Sequence, residues 1–116
     1  MAYETIAIRK LTPAIGAEVS GVDLASLSNQ QASELHDALM ANHVLFFRDQ
    51  TNMTTDQHVE FCRQFGELEI HPFAPPKPGH PEVMVVLANE YRRGNENTWH
   101  SDVTWREAPA KGSMLH

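Results

Sequence analysis

The chain has 116 residues, a formal net charge of −6, with 15 acidic residues against 9 lysines and arginines, and one cysteine. This length accommodates one small domain with a modest core. The acidic excess argues against nucleic acid as a partner, and no stretch approaches the roughly 20 apolar residues of a membrane helix. Cys62 has no second cysteine to pair with and the N-terminus lacks signal-sequence features, so a cytoplasmic protein is expected.

The first forty residues predict two strands followed by a helix. β-Branched residues favour a strand over residues 5–11, and residues 15–24 favour a second, short strand. Ser28 and Gln31 have the spacing of a capping box, which predicts that a helix begins there and ends near Asn42. The apolar stripe of this helix consists of Ala32, Leu35, Ala38 and Leu39.

The middle of the chain predicts a third strand and a second helix. Residues 44–47 form a short apolar run between polar neighbours, which is typical of a buried strand. Thr54 and Gln57 again have capping-box spacing, and Gly66 is expected at the C′ position just past the helix end. The predicted buried face of this helix consists of Val59, Phe61, Cys62 and Phe65.

The remaining residues predict a loop and further strands. Residues 71–81 contain five of the seven prolines, which favours an extended loop. Residues 82–90 are nearly continuously apolar and predict a strand that is covered on both faces. Residues 98–105 alternate in polarity, as a strand does. Residues 112–116 become apolar and predict another strand, interrupted by the end of the chain.

The strongest candidate for chemistry is the tripeptide His100-Ser101-Asp102. Alternate residues of a strand point to the same face, so His100 and Asp102 would present an imidazole nitrogen and a carboxylate oxygen side by side. These are two of the three ligands of a 2-His-1-carboxylate iron site. The tripeptide alone is weak evidence, since about 0.3 such matches are expected by chance, and a structural hydrogen-bonded pair is an open alternative.

Three other pairs of potential ligands compete with this tripeptide. His58 and Glu60 lie in the predicted second helix, where positions two apart diverge. His80 and Glu82 flank a proline and are interpreted as a loop feature. His58 and Cys62 are four apart on the helix and could share a metal ion, although Cys62 belongs to the stripe expected in the core.

The sequence around His100 closely resembles the iron-binding stretch of the taurine dioxygenase family of Fe(II)/2-oxoglutarate oxygenases. The resemblance covers essentially the whole chain in order, and its segments are residues 15–24, 44–50, 65–68, 70–72, 98–105, 107–109 and 112–113. It implies a double-stranded β-helix (jelly-roll) fold with flanking helices, which is mixed α/β but mainly β. Residues 1–116 would then be a single, incomplete domain that holds only the N-terminal part of this fold.

The resemblance also implies roles for individual residues. His100 and Asp102 match the family's first histidine and carboxylate ligands of Fe(II), and so are the predicted catalytic and metal-binding residues. 2-Oxoglutarate is the implied co-substrate, and dioxygen is the oxidant. His71 matches a histidine that contacts the substrate sulfonate in taurine-cleaving members, and Val103 matches a residue that lines the substrate pocket. Without the resemblance, His71 before a proline would be interpreted as a solvated loop residue.

Two positions depart from the taurine-cleaving members. Ala74 stands where those enzymes have a tyrosine, and Glu96 stands where they have an asparagine. A shift of one residue in the loop would let Asn97 serve as the substrate-binding asparagine. These departures leave a different sulfonate, a sulfate ester or another small organic anion as alternatives to taurine.

The expected function is therefore hydroxylation of a small anionic substrate, taurine or a related sulfonate, with release of sulfite, succinate and CO2. The family's second histidine, the arginine and the threonine that contact 2-oxoglutarate come later than this chain reaches, so activity is expected only in a longer chain. Alternatives are an alkylsulfate or aryloxyalkanoate dioxygenase, a non-catalytic binding module, and a cupin-like zinc protein, against which the lack of a His-x-His motif argues. A homo-oligomer is left open.

Overall fold

A computed structural model describes residues 2–71, 75–86, 90, 99–100 and 105–116 of the protein. The chain divides into two compact units, Met1–Gly66 and Glu67–His116, and each has its own internal organisation. Within the described residues, neither helix is long and apolar enough to cross a lipid bilayer.

A three-stranded sheet forms the first unit's framework. Its strands β1 (Ala7–Lys10), β2 (Ala17–Ser20) and β3 (Leu45–Phe47) lie in the order β1-β2-β3. β1 and β2 pair antiparallel, whereas β2 and β3 pair parallel, with Ala17 opposite Leu45. Because parallel neighbours need a long crossover, the helix α1 (Asn29–Asn42) follows β2 and returns the chain to the start of β3.

Both predicted helices begin where their capping boxes lie. The Ser28 hydroxyl oxygen accepts from the Gln31 backbone N–H, and the Gln31 side chain accepts from the Ser28 backbone N–H, each at 3.1 Å. Thr54 and Gln57 repeat this exchange at the start of α2 (Thr55–Arg63). Each box satisfies two backbone donors that a helix start otherwise leaves unpaired, so the two starts are confirmed.

The two helices end in different ways. α1 ends at Asn42, as predicted, and His43 follows with φ 69° while its N–H donates to the Leu39 carbonyl oxygen. α2 ends at Arg63 with Gln64 as its C-cap, so Phe65 is the C′ residue and the prediction of Gly66 at C′ is wrong by one residue. Gly66 has a φ of 144°, which lies in the region that favours glycine because glycine has no Cβ atom.

The core of the first unit lies between the inner face of the sheet and the two helices. Phe61 of α2 packs edge-on against Phe47 of β3, with ring centroids 5.9 Å apart. The prediction that residues 44–47 are buried is wrong in part, because Phe46 is 44% exposed on the outer face. β3 pairs only with β2 among the described residues. The buried apolar residues are Ile6, Ala17, Val19, Leu24, Leu35, Ala38, Met53, Val59 and Phe61.

An ion-pair network covers part of the sheet's outer face. The Glu18 carboxylate on the central strand lies 3.2 Å from both the Arg48 and the Arg9 guanidinium groups. The hydrogen bond from Arg48 and then that from Arg9 lower the pKa of Glu18 below its ordinary value. Both arginines are exposed, so this network orders the face more than it stabilises the fold.

Glu34 attaches the first residues of the chain to α1. Its carboxylate accepts hydrogen bonds from the Thr5 hydroxyl and from the backbone N–H groups of Thr5 and Glu4. The Thr5 hydroxyl and then the Glu4 N–H lower the pKa of Glu34, because these bonds favour the ionised form. The segment that leads into β1 is thereby held on the helix.

We expect Glu34→Gln to lower the urea midpoint of unfolding at pH 7, because the amide is a weaker acceptor for these three donors. A lowered folded-state pKa stabilises the fold above the ordinary value of 4.5, and this stabilisation is lost as the pH falls through the folded-state pKa. The difference in urea midpoint between the wild-type protein and Glu34→Gln should therefore become smaller at acidic pH. Asp37→Asn, on an exposed position of the same helix, is the control. A difference that stays constant from neutral to acidic pH would contradict this role for Glu34.

The second unit contains a two-stranded antiparallel hairpin within the proline-rich segment. β4 (Pro76–Lys77) pairs with β5 (His80–Met84), and Gly79 in the turn has φ 79°. The prediction of a loop over residues 71–81 is therefore wrong for residues 76–77 and 80–81. Both strands of a two-stranded sheet have a free edge. A proline is tolerated there, because no hydrogen bond between strands requires its missing N–H.

Other strand predictions for this unit also need correction. β5 begins two residues before the predicted strand, and Val85 and Val86 beyond it are exposed, so burial of both faces is wrong there. Residues 99, 100 and 105, and the final residues 112–116, lie outside strands. The two helices, with 14 and 9 residues, outweigh strands of two to five residues. The described part is accordingly mixed α/β and not mainly β.

Candidate active site

His71 and Trp105 come together in the second unit. Their ring centroids are 6.2 Å apart and the ring planes meet at 80°, which is an edge-to-face contact. His71 is half-buried, whereas Trp105 keeps much of its surface exposed. The predicted substrate-binding histidine lies outside the helices and strands, but it is only partly exposed and contacts an aromatic ring.

A second contact joins the same two segments. The Arg106 guanidinium pairs with the Glu69 carboxylate, and the two side chains are 36% and 30% exposed. Glu69 precedes His71 by two residues, and Arg106 directly follows Trp105. The stretch after the His-x-Asp motif is therefore attached to the stretch around His71 at two neighbouring points.

His100 lies at an exposed position next to the exposed Trp99. Asp102, Val103 and Asn97 lie outside the described residues, so their predicted roles stay predictions. The donor set still fits Fe(II), since a histidine nitrogen and a carboxylate oxygen are two of the ligands that non-haem iron oxygenases use. An exposed imidazole can also take up a metal ion without disturbing a core.

The competing pairs of potential ligands lie in different local environments. His80 and Glu82 lie in β5, not in a loop as predicted, and alternate positions share one face of this strand. On α2, burial raises the pKa of the Cys62 thiol, which disfavours the thiolate that binds metals. No group of three or more potential His, Cys, Asp or Glu ligands occurs among the residues whose positions are described.

An open cavity of about 260 Å3 in the first unit has a different character. It lies between the first turn of α1 and the helix α2, and Glu60 is the one titratable side chain among its described lining residues. A single exposed carboxylate next to apolar and amide side chains provides neither a metal site nor an acid–base pair. The predicted iron ligands, His100 and Asp102, fall instead within the second unit's range, residues 67–116.

Sequence reasoning missed Glu69 and Arg106. Their opposite charges are the only signal in the sequence, and opposite charges far apart along a chain do not specify a pair. Trp105 falls at the end of the predicted strand over residues 98–105, and that pattern does not identify His71 as its partner. Contacts of this kind depend on how the chain returns on itself, which local patterns do not encode.

Comparison with known proteins identifies the family. The sequence profile described as "Taurine catabolism dioxygenase TauD, TfdA family" matches residues 7–116, so the chain belongs to this family. An alkylsulfatase of Acinetobacter baylyi is 36% identical over 97% of the chain and 35% of its own length. An alpha-ketoglutarate-dependent sulfate ester dioxygenase of Pseudomonas putida is 34% identical over 87% of the chain and 33% of its own length.

A solved structure agrees with this assignment. A taurine dioxygenase from Burkholderia xenovorans superposes with a TM-score of 0.73 and 36% identity, over 91% of the chain and 38% of that protein. The chain spans about a third of the length of the curated relatives it matches. Resemblance to the family, first indicated by the residues around His100, is thereby confirmed.

Proposed function

We propose that this chain forms the N-terminal part of an Fe(II)- and 2-oxoglutarate-dependent dioxygenase that hydroxylates a small organosulfur anion. The family match over residues 7–116, which includes His100 and Asp102, is the observation that carries this proposal. Residues 1–116 would then belong to one jelly-roll oxygenase domain whose remaining part supplies the third iron ligand. The named relatives support this reaction class, since they include an alpha-ketoglutarate-dependent dioxygenase and a taurine dioxygenase.

In this proposal the chain contributes two ligands and one side of the substrate pocket. His100 provides a neutral imidazole nitrogen, and Asp102 provides a carboxylate oxygen that also offsets the charge of the metal. Bound Fe(II) with 2-oxoglutarate and dioxygen would supply the oxidising power for hydroxylation of a C–H bond. The protein's own task is to orient the substrate and to exclude water.

His71 is the proposed anchor for the substrate's anionic group. A ring N–H of the imidazole would donate a hydrogen bond to a sulfonate or sulfate oxygen, and a charge-assisted bond of this kind is stronger than a neutral one. The edge-to-face contact with Trp105 limits the positions that the ring can take. Val103 would line the pocket and Asn97 would provide a second polar contact, as the resemblance implies.

Taurine or a related sulfonate is the first candidate substrate, because the superposed structure is a taurine dioxygenase. A sulfate ester is the second candidate, because the curated relatives include an alkylsulfatase and a sulfate ester dioxygenase. Ala74 also removes the tyrosine of the taurine-cleaving members, which favours a substrate other than taurine itself. The two candidates are distinguished by the released anion, which is sulfite from a sulfonate and sulfate from a sulfate ester.

We expect succinate release in a screen of taurine, alkylsulfonates, alkyl sulfates and aryloxyalkanoates with the longest natural form of the chain. Hydroxylation of the carbon next to sulfur releases an aldehyde and sulfite, whereas hydroxylation of the carbon that bears a sulfate ester releases an aldehyde and sulfate. Succinate should therefore appear in equal amounts with sulfite for a sulfonate, or with sulfate for an ester.

Reactions without 2-oxoglutarate and reactions with chelated iron are the controls. Turnover of aryloxyalkanoates alone would retain the dioxygenase class but reject an organosulfur substrate. Binding of an organic anion without any succinate would indicate the non-catalytic binding module. If the protein neither binds nor turns over any compound of the panel, the proposed function is excluded.

A further inference from the structure

We propose that Glu69 and Arg106 form a positioning clasp that holds Trp105 against His71 and so fixes the imidazole for the substrate's anionic group. This inference rests on the proposed function, because it gives His71 the role of substrate anchor. Neither Glu69 nor Arg106 is a proposed metal ligand. The clasp residues are positioning residues and not catalytic ones.

The two segments contact each other through both a ring pair and an ion pair. Trp105 touches His71 through an edge-to-face ring contact, and a ring contact by itself would let two segments pivot about it. The Glu69–Arg106 ion pair lies one residue along from Trp105 and two residues along from His71. Two contacts at separate points prevent the pivoting that one contact allows.

Partial burial makes this pair suited to the task. The side chains of Arg106 and Glu69 are 36% and 30% exposed, whereas those of the Arg63–Glu60 pair on α2 are 51% and 71% exposed. Ion pairs that are partly shielded from water are screened less than those on the open surface. A planar guanidinium also restricts the orientation of its carboxylate partner more than an ammonium group would.

Charge supports the same assignment. Glu69 lies two residues from His71, so an unpaired carboxylate there would repel an anionic substrate. Its pairing with Arg106 cancels this charge. Arg106 alone could instead serve as a direct anion ligand, and the two roles predict opposite effects when Glu69 loses its charge.

The variant Glu69→Gln separates these roles in the longest natural form of the chain. A clasp predicts that the KM for the organosulfur substrate rises about fivefold with kcat little changed, since the anchor is loosened but the reacting centre is intact. A direct anion ligand predicts a lower KM, because the guanidinium is released from its carboxylate. The exchanged pair Glu69→Arg with Arg106→Glu should restore the wild-type KM, since it rebuilds the ion pair with the same net charge.

A measurement without turnover tests the clasp independently. In metal-free protein, the ring protons of His71 should show NMR shifts from the ring current of Trp105, assigned with His71→Asn. Glu69→Gln should move these shifts towards values of a free imidazole, and Arg106→Met, which keeps much of the apolar stem, should do the same. Glu67→Gln is the matched control, because it removes the same charge from an exposed position in the same segment.

Each outcome decides one of the two proposals. Wild-type shifts of His71 in Glu69→Gln, or a KM that falls or stays unchanged, would overturn the clasp while leaving the dioxygenase assignment intact. A chain that turns over no organic anion, but whose His71 shifts respond as expected, would reject the proposed function and retain the contact. Failure of the exchanged pair to restore KM would also overturn the clasp.

Discussion

Asp102→Ala is expected to reduce iron-dependent succinate release at least about a hundredfold. Mutation of a residue that merely hydrogen-bonds to a metal ligand already lowers metal affinity or activity by up to about a hundredfold, and loss of a ligand itself should cost more. The carboxylate is one of the two proposed iron ligands in this chain, and alanine offers no replacement oxygen. The absorption band expected near the visible range when 2-oxoglutarate is added to the Fe(II)-loaded, anaerobic protein should disappear as well. Spectroscopy therefore provides a readout that does not depend on the identity of the substrate.

Asp37→Ala is the matched control, because it removes an exposed carboxylate from the middle of α1. Iron content, the absorption band and succinate release should remain at wild-type values in this variant. An Asp102→Ala protein that folds, retains iron and still shows the band would refute the assignment of Asp102 as a ligand. Both variants need the longest natural form of the chain, since the third ligand is expected outside these residues.

Leu35→Ala is expected to destabilise the first unit by about 2–5 kcal/mol, the usual cost of this substitution at a fully buried site. Leu35 is 0% exposed and is the largest wholly buried side chain among the residues that the structure describes. Removal of its three terminal carbons leaves a void that the surrounding helices and sheet cannot fill completely. Urea unfolding followed by far-UV circular dichroism should show a lower midpoint with an unchanged slope.

Met40→Ala on the same helix is the control for this prediction. Met40 is 47% exposed, so truncation there should change the free energy of unfolding by only about 0.5 kcal/mol or less. Both substitutions place alanine in α1, and both replace a residue with a similar preference for helix. Equal shifts in the two midpoints would show that Leu35 does not form part of the core.

The helices were predictable because their signals are local. Ser28 and Gln31, like Thr54 and Gln57, satisfy backbone donors within one helical turn, so four neighbouring residues decide where each helix starts. Leu35 and Ala38 are buried as the helical spacing of apolar residues predicts. Side chains three or four positions apart face the same way in any helix, whatever surrounds it.

The strands were harder to predict because their partners decide them. Phe46 is apolar yet exposed, since a strand covered on one face leaves alternate side chains on the other. Pro76 and Pro81 lie in strands of a hairpin, where each strand has a free edge among the described residues, and a free edge tolerates a missing N–H. Whether an edge is free depends on the sheet, and a stretch of sequence does not reveal it.

For the candidate active site, the sequence by itself predicted the ligand pair and indicated the family that the comparisons confirm. His100 and Asp102 are separated by one residue, so the sequence alone suggests the pair, whereas the local backbone decides whether the two side chains share a face. Only the tertiary structure decided that Trp105 lies against His71 and that Arg106 pairs with Glu69. These residues are distant along the chain, and contacts of that kind arise only when folding brings their segments together.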